Sequence, residues 1–232
     1  MKARLLRTML EDPYANVALE EALFGEIGGA VVRLWENQES VVLGAGQLAA
    51  HETDMAYCEA EGIPVVRRMS AGGAVYNGPG NLNWSFFVRR GDGPVGRGEG
   101  PRRVFEAFAG VVARALEGCG VEAEFRPPNS LATVDGKVSG MAAYVSREAV
   151  LCHGTLLMSA DLELVRRLTR PSEAKLERRY PRSNFVEVAN CGAGAGQFAE
   201  RLGVLEPRVP PTKPRSLERR MLGAGVAPTS GC

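Results

Sequence analysis

Ile63-Pro64-Val65-Val66-Arg67-Arg68-Met69-Ser70-Ala71-Gly72-Gly73-Ala74-Val75-Tyr76-Asn77-Gly78-Pro79-Gly80-Asn81 carries most of what this sequence says about its fold. An apolar run that reads as the end of a buried strand meets two arginines. A loop with glycines at 72, 73, 78 and 80 follows. Leu82-Asn83-Trp84-Ser85-Phe86-Phe87-Val88 then reads as the next strand. Glycine tolerates positive φ and carries no side chain, so such a loop lets backbone approach a ligand closely. Its N–H groups can hold an anion, and an arginine can add a bidentate contact to a carboxylate or phosphate. Ordinary turn glycines between two strands have the same composition, so the loop alone leaves both readings open. Two familiar alternatives are excluded. A P-loop ends in Gly-Lys-Ser/Thr, whereas this one ends in Gly-Pro-Gly-Asn, and a dinucleotide fingerprint opens a helix rather than a strand. The stretch is a candidate anion- and adenylate-cradling loop between two strands.

Composition sets the frame around it. The chain has 232 residues, 45% apolar and 24% charged, which fits one globular unit or one domain with a small appendage. Lys and Arg number 28 against 27 Asp and Glu, so no broad charge imbalance points to nucleic acid or an anionic membrane. No apolar run approaches the roughly 20 residues of a membrane span. The start, Met1-Lys2-Ala3-Arg4-Leu5-Leu6-Arg7, has no signal-peptide h-region, and the expectation is a cytoplasmic protein. Cys58, Cys119, Cys152, Cys191 and Cys232 are scattered without CxxC spacing, which indicates neither a disulfide framework nor a zinc site. With only His51 and His153 present, a histidine-based metal site is not expected, and a His-dependent triad would have to use His153.

Working outward, Asp12-Pro13 is a helix start, with Val17, Ala18, Ala22 and Leu23 at helical spacing through about Ile27. Val31–Trp35 and Ser40–Leu43 read as strands joined by the polar turn Glu36-Asn37-Gln38-Glu39. Residues 53–61 read as a short helix ended by Gly62. Residues 101–118 form the clearest helix, with Val104, Phe105, Phe108, Val111, Val112, Ala115 and Leu116 on one face. The glycine-rich 91–100 before it reads as a mobile loop. Ser130-Leu131-Ala132-Thr133-Val134, Asp135-Gly136 and Lys137-Val138-Ser139-Gly140 together predict a hairpin with a type I′ turn. Strand alternation then puts Lys137 and Ser139 on one face, with Val138 and Gly140 on the other. Residues 149–158 read as a strand and 161–168 as a short helix. After Cys191 the glycines at 192, 194 and 196 read as a hinge, followed by a proline-rich stretch from 207 to 214. The expectation is a domain over 1–190 and a partly disordered tail over 191–232.

Four segments in order resemble the lipoate–protein ligase family: Asn16-Val17-Ala18-Leu19-Glu20-Glu21, the Arg67–Asn81 stretch, Asp135-Gly136-Lys137-Val138-Ser139-Gly140, and His153-Gly154-Thr155-Leu156-Leu157. The resemblance runs from about residue 5 to about residue 185. It implies an α+β fold with a mixed, mostly antiparallel sheet flanked by helices, of the class II synthetase/biotin ligase-like kind. It implies formation of lipoyl-AMP and pyrophosphate from lipoate and Mg-ATP, then acyl transfer to a specific lysine of a lipoyl-accepting protein. By position, Lys137 matches the catalytic lysine. An ammonium there can hold carboxylate and α-phosphate together and neutralise charge developing on the acyl carbonyl. Arg68, Ser70, Gly72, Gly73, Ala74, Val75, Tyr76, Asn77, Asn81, Asn129, Ser139, His153, Gly154 and Thr155 match lipoate- or adenylate-binding positions. Asn81 is also a candidate magnesium contact. The implied partners are a lipoyl domain of a 2-oxoacid dehydrogenase acyltransferase subunit, a glycine-cleavage carrier or another lipoate-binding carrier. A separate accessory-domain protein is a further expected partner.

The chain departs from the family pattern at Asn77, where histidine is usual, and at Ala71, which replaces the first of three glycines. Val41-Val42-Leu43-Gly44-Ala45-Gly46-Gln47 lacks the arginine usual after its first glycine, and Cys152 stands where a second histidine is common. A rival reading is an octanoyl or lipoyl acyltransferase working through a cysteine thioester without ATP, because Tyr76-Asn77-Gly78-Pro79-Gly80 and Cys191-Gly192 resemble octanoyltransferase motifs. A biotin ligase would need a Gly-Arg-Gly-Arg-type loop, which is absent. A non-catalytic binder of lipoate or lipoyl domains is a third class.

Overall fold

The structure, a computed structural model, describes residues 3–26, 28–92, 100–170, 180–184 and 186–203. In chain order the elements are β1 (Arg4–Thr8), α1 (Pro13–Gly25), β2 (Val31–Trp35), β3 (Ser40–Leu43), α2 (Ala49–Glu52), α3 (Met55–Glu61), β4 (Val65–Arg67), β5 (Val75–Asn77) and β6 (Asn81–Arg89). Then come α4 (Pro101–Glu117), β7 (Glu124–Arg126), β8 (Ser130–Thr133), β9 (Gly136–Val145), β10 (Ala149–Leu157), α5 (Leu162–Leu168) and α6 (Ala195–Arg201). Seven strands form one sheet in the order β1-β2-β6-β10-β9-β8-β7, and β4-β3-β5 form a second. Only β1–β2 and β3–β4 run parallel, so the mixed, mostly antiparallel α+β architecture is as expected.

Strand β6 explains why the large sheet has two different faces. Its residues alternate, and successive side chains of a strand point to opposite sides. Leu82, Trp84, Phe86 and Val88 join the main core, with Val150, Cys152 and Leu156 of β10. Helix α4 covers that side. Val104, Phe108, Val112, Ala115 and Leu116 are buried, a spacing that gives one apolar stripe. Phe86 stacks on Phe108 with ring centroids 4.9 Å apart. Fully burying each such side chain contributes about 1.5–3 kcal/mol. The opposite face carries Asn81, Asn83 and Ser85, and that is where the cavity lies.

Several expectations change in three dimensions. Asp12 caps α1 as predicted, its carboxylate accepting from Tyr14 N–H at 2.9 Å. The buried face of that helix is Pro13, Asn16, Val17 and Glu20, however, and Ile27 lies outside the described residues. β2 and β3 are not a hairpin, because β2 pairs with β1 and β6 whereas β3 pairs with β4 and β5. The chain from β3 to β5 is thus an excursion into the second sheet, whose residues Val41, Leu43, Ile63 and Tyr76 form their own cluster with Val165 and Leu168 of α5. The expected helix over 53–61 is split. Thr53 ends α2, and Asp54 caps α3 by accepting from Tyr57 N–H at 3.0 Å.

The hairpin exists, but Thr133 pairs with Gly136, so Val134-Asp135 is the connection. Asp135 does not have the positive φ that a type I′ turn needs, since no described non-glycine residue does. The register also slips by one between Leu131 and Ala132, which leaves one extra residue on β9. The boundary placed at residue 190 falls too early. Cys191 N–H donates to Leu157 O at 2.7 Å, and Phe198 of α6 is fully buried in the main core beside Ala199. Residues 191–203 therefore belong to the folded domain. The proline-rich stretch and the rest of the expected tail, 204–232, lie outside the described residues, as does most of the 91–100 loop.

Candidate functional site

Between the two sheets lies a cavity of about 590 Å³, a size that suits a small-molecule ligand. Its floor is one row across the large sheet. Trp35 pairs with Asn83, and Asn83 with Thr155. Gly140 pairs with Ser130, and Thr155 and Gly140 follow the paired Gly154 and Met141. All five row residues line the cavity. Its deep end is buried, walled by Val17, Glu20, Trp35, Val42 and His153, and its mouth is exposed, with Arg126, Pro127, Pro128, Arg182 and Asn184.

The glycine loop forms the roof. Gly72 has φ 107°, which only glycine adopts readily. A Cβ on Gly44 would collide with Gly72 O, so the two backbones approach as no other residue pair allows. Arg68, 6% exposed, holds the loop from inside. Its Nε–H donates to Ser70 Oγ at 2.9 Å, and its Nη groups donate to Val42 O at 3.1 Å, Ala71 O at 3.1 Å and Gly73 O at 2.8 Å. Burial pushes its pKa down to about 10, with Glu20 pulling it back up. The guanidinium expected to face a ligand is thus engaged mainly with the loop it organises. A second clamp comes from Ser183. Its Oγ accepts from Ala74 N–H at 2.7 Å and Gln47 Nε2–H at 3.2 Å, and its own N–H donates to the buried Glu52 at 2.8 Å.

Beneath the loop runs a chain of buried polar groups. His153 Nε2 is 2.6 Å from Ser70 Oγ, and its Nδ1 is 2.9 Å from Glu20 Oε2. Ser85 Oγ donates to Glu20 Oε1 and accepts from Trp35 Nε1–H at 3.1 Å. Burial alone would raise the Glu20 carboxyl. The charge of His153 and hydrogen bonds from His153 and Ser85, with Arg33 behind them, outweigh burial and hold it below the usual carboxylate range. A group whose pKa is depressed by folding stabilises the fold above its unfolded value and loses that contribution as pH falls through the folded value. Glu20 therefore contributes fully at neutral pH and progressively less below the carboxylate range. Glu20→Gln is expected to cost about 3 kcal/mol at pH 7, because it leaves partners of a buried charge unmatched. It should also flatten the acid limb of melting temperature against pH. An unchanged limb would assign the acid sensitivity to other groups. Although Ser70, His153 and Glu20 are spaced as in a hydrolase triad, Ser70 is fully buried, accepts from Arg68 and does not line the cavity, so it is no nucleophile for a bound ligand.

Lys137 lines the cavity at the start of β9. The extra residue on β9 overturns the expected alternation. Val138 turns into the core, and Lys137 shares the cavity side with Gly140 and Ala142. A Cβ on Gly140 would stand 3.2 Å from Lys137 Nζ, so the absent side chain leaves room for the ammonium. The backbone of Lys137 is fixed on both sides: its N–H donates to Glu187 O at 3.0 Å, and its O accepts from Ala189 N–H at 2.9 Å. Desolvation lowers its pKa.

Of the other predicted site residues, Arg68, Gly72, Gly73, Ala74, Val75, Asn77, Asn129, His153, Gly154 and Thr155 line the same cavity. Ser70, Tyr76, Asn81 and Ser139 do not. Tyr76 points its hydroxyl at Glu39, 3.1 Å away. Asn81 is fully buried and donates to Tyr76 O and Asn77 Oδ1, and Ser139 Oγ is buried without a partner. Asn81, the candidate magnesium contact, keeps its Oδ1 buried without a hydrogen-bond partner, and no group of three or more His, Cys, Asp or Glu suited to a metal occurs among the described residues. Cys191 lies away from the cavity, its Sγ 3.5 Å from Met158 Sδ, and burial raises its pKa. No cysteine lines the cavity among the described residues, which removes the geometric basis for the thioester reading.

Sequence reasoning did not single out Glu20, Trp35, Asn83, Gly140 or Ser183. Two had a readable signal. Asn16 and Glu20 are one helical turn apart beside Val17, and Asn81, Asn83 and Ser85 alternate with large apolar residues. Ser183 had none, since its partners are more than a hundred residues away.

No helix among the described residues is long and apolar enough to cross a membrane. An Aeropyrum pernix protein named as a lipoate-protein ligase A is 37% identical over 182 residues, covering 75% of this chain and 64% of its own length. The chain spans between half and two thirds of the length of the curated relatives it matches. Among solved structures, a bipartite lipoate protein ligase from Thermoplasma acidophilum, studied with its E2 lipoyl domain, has a TM-score of 0.78 at 22% identity, covering 97% of this chain and 93% of that one. A lipoate-protein ligase A bound with ATP has a TM-score of 0.78 at 23% identity, covering 97% and 95%. These two likenesses establish the fold. The lipoyl protein ligase A/B catalytic domain matches residues 12–195, the stretch that builds the cavity's roof, floor and deep wall, and the chain belongs to that family.

Proposed function

We propose that this chain is the catalytic domain of an enzyme that activates lipoate with Mg-ATP and passes the lipoyl group to a lysine of a lipoyl-accepting protein. The observation that carries the reading is Lys137, a desolvated lysine fixed by its backbone between a buried recess that holds Val17, Trp35 and Val42 and a mouth that carries Arg126 and Arg182. Val17, Trp35 and Val42 in the recess suit an aliphatic chain. Arg126 and Arg182 at the mouth suit phosphates. In the first step a carboxylate oxygen of lipoate attacks the α-phosphorus of ATP and pyrophosphate leaves. In the second, the acceptor amine attacks the acyl carbonyl and AMP leaves. Lys137 balances negative charge at the point where both steps occur. Magnesium enters with ATP, carried by its phosphates.

The acceptor in this reading is a lipoyl domain of a 2-oxoacid dehydrogenase, a glycine-cleavage carrier or a related protein. A separate accessory-domain protein is a further proposed partner. One observation supports it: the chain is similar along its length to one chain of a bipartite ligase. The test is lipoate-dependent ATP–pyrophosphate exchange by the purified chain. Exchange that needs lipoate, and that Cys191→Ser retains within about twofold, is the expected result. Acyl transfer without ATP that Cys191→Ser abolishes would replace this reading with the thioester one.

A further inference from the structure

The deep end of the cavity holds a polar group that neither the reaction as described nor the Glu20–His153–Ser70 chain uses. Asn83 is 3% exposed and lines the cavity between Trp35 and Thr155, and its Nδ2 is buried without a hydrogen-bond partner. Among the described residues it is the cavity-lining residue that carries such an atom. A buried amide without a partner is destabilising, so its position in a ligand recess calls for a ligand acceptor. Its neighbours are already paired. Trp35 Nε1–H donates to Ser85, His153 is held by Glu20 and Ser70, and Arg68 by the loop. A plain hydrocarbon tail would leave the Asn83 amide unmatched.

Distance along the floor says which part of the ligand meets it. Lys137 Nζ lies against Gly140, and Asn83 is two strands away through Thr155. Two strand spacings are ~10 Å, about the reach of a medium-length acyl chain from its carboxyl to its far end. With the carboxyl at Lys137, as the proposed function has it and on which this inference rests, the far end of the chain lies at Asn83. In lipoate that end is a dithiolane ring, whose sulfurs are polarisable, weak hydrogen-bond acceptors. We infer that Asn83 is a specificity-determining residue whose amide donates to a ring sulfur, so that the recess favours a dithiolane over a hydrocarbon end of the same shape.

The test compares lipoate with 5-cyclopentylpentanoate, which keeps the ring and chain but lacks sulfur, and with octanoate. Binding is measured by titration calorimetry on wild type, Asn83→Leu and Asn83→Ser. Wild type is expected to bind lipoate about fivefold more tightly than the cyclopentyl acid. Asn83→Leu should erase that ratio by weakening lipoate alone, with the hydrocarbon acids unchanged or tighter. A wild type that does not distinguish the two ring acids overturns the inference whatever the variants do. So does a variant that weakens every acid alike, which is the signature of a structural role. Failure of wild type to bind any of the three acids would instead reject the functional reading, and this inference with it.

Discussion

Lys137→Ala is expected to remove acid-dependent ATP–pyrophosphate exchange, a loss of about a hundredfold to a thousandfold. The size follows from position. The ammonium sits in a partly desolvated recess, where a fixed charge acts on developing charge more strongly than in water. The loss should fall on turnover more than on lipoate affinity, because the recess proposed for the acyl chain is untouched. Stability should change little. The side chain has no ion-pair partner among the described residues, and the hydrogen bonds to Glu187 and Ala189 are made by backbone, which alanine keeps. Exchange near the wild-type rate, in a variant that melts like wild type, would remove Lys137 from the chemistry. Lys137→Arg separates charge from shape. A guanidinium is larger and Gly140 leaves limited room, so charge alone should restore only a small part of the rate.

The second large effect is on the fold of the loop. Arg68→Met keeps the length of the stem and removes the donors to Ser70, Val42, Ala71 and Gly73. It also leaves the buried Glu20 without one of its nearby cations. Removing one member of a buried charged network costs about 3–5 kcal/mol, or roughly 10 °C in melting temperature for a chain of this size. Activity should fall with it, since the backbone of Ala71 to Gly73 is shaped around that guanidinium. A variant that unfolds like wild type but loses nucleotide affinity would show that Arg68 acts on the ligand and not on the loop.

The two outcomes reflect what the sequence could and could not say. Its local signals were sound. Asp12-Pro13 starts α1, the stripe from Val104 to Leu116 makes α4, and the apolar run of β6 is a strand, because each depends on residues close in sequence. Motif order placed the glycine loop, Lys137 and His153 at one cavity. What failed depends on register and on distant partners. The extra residue on β9 decides which side Lys137 faces, yet Lys-Val-Ser-Gly reads as plain alternation. Glu20 reads as the polar side of an amphipathic helix until His153, 133 residues away, turns it inward. Phe198 looked like part of a tail because its partners on α4 are some ninety residues upstream.

The excursion of the chain from β3 to β5 has a consequence for cooperativity. The second sheet has an apolar cluster largely distinct from the main core, taking in Leu157 from the large sheet, and regions with largely distinct cores open with different free energies. The cavity is the seam between them. A molecule lodged there touches Gly72 to Val75 on one side and the Trp35–Asn83–Thr155 row on the other, so neither unit can open without releasing it. An occupied site therefore couples the two sides more tightly than the free chain does, where the Ser70–His153 hydrogen bond and the packing of Val17 on Val42 and Val66 are among the contacts that bridge them.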